Sequence, residues 1–171
     1  MSDRFELLDD SIPIRIQFVC LGNICRSPLA EAILLHLAEI RGVRPRLVVK
    51  SAGTSDYHVG EGADPGSVRV AREFGIDLTA HRARQFVPPD FLQFDYILGM
   101  DQNNLKRILA VKPPESRVVT GLLLDFAHNT PETDVPDPWG GGHNVFRDVF
   151  LTIQRGCEGL LAHLRTTGQI R

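Results

Sequence analysis

A cysteine and an arginine lie six positions apart in the segment CLGNICRSPLAE, where a serine and a proline follow the arginine. These residues are Cys20, Arg26, Ser27 and Pro28. A guanidinium presents a planar set of N–H donors that matches the oxygens of a phosphate. A positive environment lowers the pKa of a thiol and favours the thiolate, which is a nucleophile directed at phosphorus when a phosphate lies above it. The segment therefore predicts one loop that both binds a phosphoryl group and attacks it.

The residues on either side of this segment predict a strand before it and a helix after it. Residues 14–19 form a short apolar run rich in β-branched side chains. From Pro28, apolar residues recur at helical spacing to about residue 41, with Ser27 as the candidate N-cap. In open α/β sheets, ligands bind at the carboxyl ends of strands, and a helix N-terminus favours an anion. The loop is therefore expected to bind an anion, with Gly22 supplying the positive φ that a tight turn needs.

The rest of the chain alternates between further strand and helix patterns, which is typical of a parallel sheet covered on both faces. We therefore predict a single α/β domain, residues 13–171, built on a four-stranded parallel sheet with helices on both faces. Residues 1–12 are predicted to be an N-terminal extension. The further predicted strands cover residues 47–52, 95–100 and 117–121, and the further predicted helices cover residues 66–74, 101–111 and 144–166.

Composition and charge exclude several classes of function. The 171 residues carry a formal net charge of -2 and no basic stripe, so nucleic acid is not a predicted partner. The apolar runs are too short to span a membrane, and the acidic start of the chain does not fit a signal peptide. Three cysteines are too few for a disulfide scaffold and favour a cytoplasmic location. The six histidines are scattered, so neither a metal site nor a cofactor is predicted.

Four segments together resemble the low-molecular-weight protein tyrosine phosphatases. CLGNICRSPLAE is similar to the phosphate loop of that family, and the resemblance continues in SAGTSDYHVG (51–60), HRARQ (81–85) and DPW (137–139). It covers about residues 14–165. The resemblance implies a phosphotyrosine protein phosphatase I-like fold and hydrolysis of phosphotyrosine through a cysteinyl-phosphate intermediate. A phosphotyrosine-containing protein would be the substrate, and inorganic phosphate or another oxyanion would be the product or an inhibitor.

The resemblance assigns the chemistry to three residues. Cys20 is the implied nucleophile, Arg26 the implied binder of the phosphate and the transition state, and Asp137 the implied general acid and base. Asp137 lies between Pro136 and Pro138, which restrict the chain around it. The same carboxyl group would protonate the leaving phenolate and later activate water. The implied phosphate-binding loop comprises Leu21, Gly22, Asn23, Ile24, Cys25, Arg26 and Ser27.

The resemblance also implies a network of polar side chains that supports the loop. Asn23 would hold the loop in its unusual backbone shape, and Ser27 would hydrogen-bond the thiolate and make it a better leaving group. Ser51 and His81 match the partners of this network. The implied supporting network therefore draws on three separate segments of the chain.

The other two cysteines receive different predictions. Cys25 is the implied redox partner of Cys20, because in the family a neighbouring cysteine can form a reversible disulfide with the nucleophile. Such a disulfide would protect Cys20 from irreversible oxidation. Cys157, in the last predicted helix, is expected to be a buried apolar side chain.

Ile24, Tyr57 and Trp139 are the candidates for the substrate cleft. Aromatic walls stack on a phenyl ring, and a deep slot favours phosphotyrosine because a phosphoserine is too short to reach a thiolate at the bottom. Many family members have a second aromatic residue directly after the position of Trp139, where this chain has glycines at 140–142. The sequence therefore predicts a cleft with one wall missing and a more mobile acid loop.

Three alternative functions are weighed against a tyrosine phosphatase. A protein arginine phosphatase typically has threonine at the position of Ile24. An arsenate reductase on the same fold needs further cysteines to relay a disulfide, and residues 82–111 contain none, which leaves a version that uses glutathione in place of that relay. A non-catalytic phosphate-binding module would usually have lost Cys20, Arg26 or Asp137, and all three are present.

Three further charged residues also receive predictions. Asp101 is expected to be the N-cap of the helix that follows it. Arg82 and Arg84 are candidates for attracting acidic phosphopeptides, although such residues usually form a solvated surface.

Overall fold

The computed structural model describes residues 11–128 and 130–171 and shows one parallel sheet of four strands. The strands are β1 (Ile14–Cys20), β2 (Leu47–Gly53), β3 (Tyr96–Gly99) and β4 (Val119–Leu122), in the order β2-β1-β3-β4. The predicted four-stranded parallel sheet is confirmed. Most of the predicted N-terminal extension, residues 1–12, lies outside the described residues.

Helices cover both faces of this sheet, as predicted. They are α1 (Arg26–Ile40), α2 (Pro65–Glu73), α3 (Gln102–Ala110) and α4 (His143–Thr166). Successive side chains of a strand point to opposite faces, so Phe18 and Val19 of β1 belong to two different cores. Phe18 packs in the core that α1 and α4 cover, whereas Val19 packs with Ile97 and Ile108 in the core that α3 covers. Burying each such side chain contributes about 1.5–3 kcal/mol.

The first helix begins earlier than its sequence pattern predicts. Its first residue is Arg26, and its N-cap is Cys25, which makes no side-chain capping hydrogen bond. The prediction of Ser27 as the N-cap is wrong, because the Ser27 hydroxyl lies inside the first turn and donates to the Ala52 carbonyl oxygen at 3.2 Å. The boundaries of the other predicted helices and strands agree with the structure within about two residues.

The parallel register brings the carboxyl ends of three strands together. Cys20, the last residue of β1, pairs with Gly53 of β2, and Val19 pairs with Gly99 of β3. A Cβ atom at Gly53 would lie 2.7 Å from the carbonyl oxygen of Leu21, so only glycine lets β2 approach the loop this closely. The loop that follows Cys20 therefore lies at the edge where sheets of this kind bind ligands.

The longest helix is α4, with 24 residues, and it carries charged side chains at intervals along its length. Within residues 11–128 and 130–171, no helix has the length and apolar character that crossing a membrane requires.

Candidate active site

One buried asparagine organises the loop after β1. Asn23 has a φ of +55°, and among the described residues it is the one non-glycine residue with a positive φ. Its amide nitrogen donates to Ser27 Oγ (2.8 Å) and Ser51 Oγ (3.0 Å), and its amide oxygen accepts the backbone N–H of Arg84 (2.9 Å). His81 Nε2 donates to the Asn23 carbonyl oxygen at 2.7 Å. The structure thus brings together all the residues predicted for the network.

Position 22 requires a glycine for a different steric reason from the one predicted. Gly22 is not among the glycines with positive φ, so that prediction is wrong, and Asn23 provides the left-handed turn instead. A Cβ atom at Gly22 would lie 3.0 Å from Cδ2 of His58. Gly22 therefore allows the loop to pass closely under the His58 ring.

The Cys20 thiol lies at the bottom of a cavity and is only 2% exposed. Its Sγ is 2.9 Å from Ser27 Oγ, and it accepts the backbone N–H of Asn23 at 3.3 Å. The sulfur is therefore surrounded by polar groups of the same loop.

Arg26 lines the same cavity, and two hydrogen-bond acceptors fix the position of its guanidinium group. Its Nη1 donates to Asp101 Oδ2 at 2.6 Å and to the Val135 carbonyl oxygen at 3.0 Å. Burial opposes the charge on Arg26, but the neighbouring Cys20 and Asp101 raise its pKa above the ordinary value. The guanidinium therefore stays cationic although it is only 3% exposed. These two partners fix one edge of the planar group, which orients the rest of it before any ligand binds.

Asp101 has a second contact that its sequence position did not predict. The predicted N-cap is confirmed, because Asp101 Oδ1 accepts the backbone N–H of Asn104 at 2.8 Å. The other carboxylate oxygen binds Arg26. The available signal was its place directly after β3, because the carboxyl ends of neighbouring parallel strands meet at one edge of the sheet.

Asp137 reaches the cavity from a loop that is anchored at the end of β3. The backbone N–H of Val135, a fully buried residue, donates to the Met100 carbonyl oxygen at 2.9 Å. Asp137 Oδ1 accepts the backbone N–H of Trp139 at 3.1 Å, and Oδ2 lies 3.9 Å from Nη2 of Arg26. The Asp137 side chain is 46% exposed, so it lies at the rim of the cavity rather than at its floor.

All the residues predicted for catalysis and for the cleft line one cavity. Tyr57 and Trp139 form exposed walls. The sequence pattern missed His58, whose Nδ1 lies 2.6 Å from Glu61 Oε2, although its position next to Tyr57 was a signal. The complete lining is Cys20, Leu21, Gly22, Ile24, Cys25, Arg26, Tyr57, His58, Asp137 and Trp139.

The second thiol of the loop, that of Cys25, lies in an environment that disfavours its ionised form. Burial raises the pKa of Cys25 well above its ordinary range, and the charge of Asp64 raises it further. Cys20, Cys25 and Cys157 are all free thiols. Cys157 is fully buried in α4, as predicted. The role of Cys25 as a redox partner of Cys20 stays a prediction.

The two arginines predicted to attract acidic peptides make other contacts. Arg84 donates to both carboxylate oxygens of Asp90, at 2.9 and 3.1 Å. Arg82 donates to the carbonyl oxygens of His81 (2.7 Å) and Thr79 (3.4 Å). The Arg84 guanidinium therefore ties this segment to the turn that contains Asp90, and the Arg82 guanidinium stabilises the backbone of its own segment.

Comparison with known proteins identifies the family. A family model described as low molecular weight phosphotyrosine protein phosphatase matches residues 15–170. The chain belongs to this family. The low molecular weight protein-tyrosine-phosphatase YfkJ of Bacillus subtilis is 37% identical over 157 residues, which cover 92% of this chain and 99% of the relative. The resemblance found in the phosphate loop and in the three further segments is thereby confirmed.

Solved structures of low molecular weight phosphatases share the fold closely. A protein tyrosine phosphatase from Entamoeba histolytica has a TM-score of 0.86 and 34% identity, covering 90% of this chain and 98% of that chain. The drosophila arginine phosphatase DARP has a TM-score of 0.82 and 32% identity, covering 89% of this chain and 98% of that chain. Fold similarity alone therefore does not separate a tyrosine phosphatase from an arginine phosphatase.

The partly buried histidine of the network, His81, predicts how stability depends on pH. Burial lowers the pKa of His81 below its ordinary value, although the hydrogen bond to Asn23 opposes this shift. The folded state then binds fewer protons than the unfolded state, so His81 stabilises the fold above about pH 6.5, and this contribution is lost as the pH falls through the folded pKa. We expect His81→Gln, whose amide can still donate to Asn23, to lose less stability on acidification than the wild type.

Chemical denaturation at a series of pH values measures this difference. His36→Gln, at a half-buried histidine of α1 outside the network, is the matched control. An acid-induced loss of unfolding free energy that is the same in His81→Gln and in the wild type would contradict the prediction.

Proposed function

We propose that this chain is a protein tyrosine phosphatase that transfers the phosphoryl group of phosphotyrosine first to Cys20 and then to water. The observation that carries this proposal is the single cavity in which the Cys20 thiol, the Arg26 guanidinium and the Asp137 carboxyl group meet. Cys20 and Arg26 flank one loop, Asp137 lies more than a hundred positions later in the chain, and the fold brings the three together at the carboxyl end of the sheet.

In the first step, the Cys20 thiolate attacks phosphorus and the bond from phosphorus to the phenolic oxygen breaks. Asp137, in its protonated form, gives its proton to the departing phenolate oxygen, so tyrosine leaves as a neutral phenol. Arg26, held on one edge by Asp101 and Val135, binds the phosphoryl oxygens, whose charge it stabilises in the transition state.

In the second step, water attacks the phosphorus of phosphocysteine. The Asp137 carboxylate accepts a proton from this water, the bond from sulfur to phosphorus breaks, and inorganic phosphate leaves. The Ser27 hydroxyl, 2.9 Å from Cys20 Sγ, can turn its proton from the Ala52 carbonyl oxygen to the thiolate as the thiolate departs. One carboxyl group thus serves both steps, and their proton balance needs no metal or cofactor. Inorganic phosphate and other oxyanions are expected to inhibit by occupying the same loop.

The depth and walls of the cavity favour phosphotyrosine over shorter substrates. Cys20 lies at the bottom, whereas Tyr57 and Trp139 are 75% and 69% exposed at the rim. A phenyl ring whose phosphate is bound above Cys20 would extend towards these walls and can stack on them. Ile24 adds an apolar surface, which supports the tyrosine reaction over the arginine reaction. We place the protein in the cytoplasm, where Cys20 and Cys25 stay reduced between oxidative events.

Turnover of three phosphorylated substrates in the presence of EDTA tests this function. We expect hydrolysis of p-nitrophenyl phosphate and of a phosphotyrosine peptide, with kcat/KM for phosphoarginine at least about tenfold lower. Ile24→Thr is the matched variant and should raise the phosphoarginine rate relative to the phosphotyrosine rate. A wild type that prefers phosphoarginine would contradict the assignment to tyrosine, and failure to hydrolyse any of the three with EDTA would contradict the mechanism.

A further inference from the structure

A second groove opens beside the catalytic cavity on the side of α3. Leu21, Arg26 and Asp137 line both the groove and the cavity, so the two spaces adjoin. The far wall consists of α3 residues, including Lys106 and Arg107. A ligand that fills the cavity can therefore extend into the groove without leaving the protein surface.

Four of the five α3 residues that line the groove form one stripe along the helix, and the fifth, Asn104, lies beside this stripe. Asn103, Lys106, Arg107 and Ala110 follow the spacing i, i+3, i+4 and i+7, which places them in one stripe. Lys106 and Arg107 are exposed. Neither forms an ion pair within the described part of the chain. Two uncompensated cations thus face the groove.

The acidic residues of the groove do not neutralise Lys106 and Arg107, because their carboxylate groups bind other partners. Asp101 uses one carboxylate oxygen for Arg26 and the other for the N–H of Asn104. Asp137 accepts the N–H of Trp139 and faces Arg26. The groove therefore offers a positive surface beside a site for a phosphate.

The residues that line the cavity itself do not offer a comparable surface, because Arg26 is the one lysine or arginine among them. His58, on the other side of the cavity, lies 2.6 Å from Glu61, so an acidic side chain is already beside its ring. Because the exposed cations Lys106 and Arg107 line the groove, an additional anion is expected to bind on the side of α3.

We propose that the groove binds a second anionic group of the substrate, so that the enzyme prefers phosphotyrosine peptides with acidic side chains next to the phosphotyrosine. This inference rests on the proposed function. A polypeptide reaches both spaces because neighbouring residues of an extended chain are about 3.3 Å apart. The second anion is a carboxylate or a second phosphate, since both present oxygens to lysine and arginine.

The test compares kcat/KM for matched phosphotyrosine peptides at low salt. One peptide has Asp and Glu beside the phosphotyrosine, a second has Asn and Gln at the same positions, and a third has a second phosphotyrosine there. We expect the wild type to prefer the acidic peptide to the amide peptide by about three- to tenfold, as two exposed ion pairs allow. This ratio should fall as salt screens the pairs. The third peptide shows whether a second phosphate is bound better than a carboxylate.

The double variant Lys106→Gln, Arg107→Gln removes both cations and keeps good helix formers in α3. We expect its ratio of acidic to amide peptide to approach one. The double variant Arg44→Gln, Arg117→Gln is the control, because it removes the same charge from two exposed residues that precede β2 and β4, at the opposite end of the sheet.

The inference is overturned if the wild type shows no preference, if the α3 variant retains it, or if the control variant loses it equally. Turnover of p-nitrophenyl phosphate by the wild type distinguishes a failure of the groove assignment from a failure of the proposed function. If that turnover is present and the peptide ratio is one, only the groove assignment fails. If it is absent, the proposed function fails and the groove assignment fails with it.

Discussion

Cys20→Ser is expected to lower kcat for p-nitrophenyl phosphate by about 10⁴-fold or more, as does the loss of a nucleophile in other enzymes. A serine hydroxyl is far less acidic than a thiol, so it supplies far less of the anionic nucleophile at neutral pH. The loop contacts the sulfur through Ser27 and the N–H of Asn23, and a serine oxygen at position 20 can be contacted by the same groups. Because serine is nearly isosteric, the loop itself should keep its shape.

Steady-state turnover, together with binding of inorganic phosphate or vanadate to the variant, checks this expectation. Retained oxyanion binding would show that Cys20→Ser has a folded loop. Cys157→Ala is the control, because it removes a buried thiol of α4 that lies outside the cavity. Substantial turnover by Cys20→Ser would show that Cys20 is not the nucleophile.

Asp137→Asn is expected to lower kcat/KM by about 10²- to 10³-fold for aryl phosphates with poor leaving groups, within the range of general acid catalysis. The amide can still accept the N–H of Trp139, so the loop keeps its turn. It cannot supply a proton to the phenolate. Aryl phosphates whose phenols are more acidic need less protonation and should lose much less.

A series of aryl phosphates with graded leaving groups measures this dependence for the wild type and the variant. We expect kcat/KM to depend steeply on the leaving group in Asp137→Asn and weakly in the wild type. Asp134→Asn is the matched control, because Asp134 precedes the same loop and binds the N–H of Gln102 instead. A loss of equal size for every leaving group would argue against Asp137 as the acid.

Local sequence patterns predicted the fold and the phosphate loop well. The apolar run of β1 and the helical spacing after Pro28 are signals that depend only on neighbouring residues. The alternation of such signals along the chain was enough to predict a parallel sheet with helices on both faces. The resemblance of four segments to a known family then identified the cavity residues. The structure brings these residues together in one cavity.

The contacts that hold the loop could not be predicted in the same way, because they join residues far apart in the chain. The ion pair between Arg26 and Asp101 spans 75 positions, and the hydrogen bond from His81 to Asn23 spans 58. Arg84 was expected to face solvent, but its partner Asp90 lies on a neighbouring turn whose position depends on the whole fold. The distinction between Gly22 and Asn23 as the residue with positive φ is equally a tertiary property, since the side-chain hydrogen bonds of Asn23 stabilise its strained backbone.

The measurement that tests the central claim most directly is the location of covalent phosphate during turnover. The enzyme would be mixed with a phosphotyrosine peptide, quenched rapidly and mapped by tandem mass spectrometry. We predict one phosphoryl group on the sulfur of Cys20, and none on Cys20→Ser. A phosphoryl group on any other residue, or turnover during which no phosphate is ever covalently bound, would contradict it.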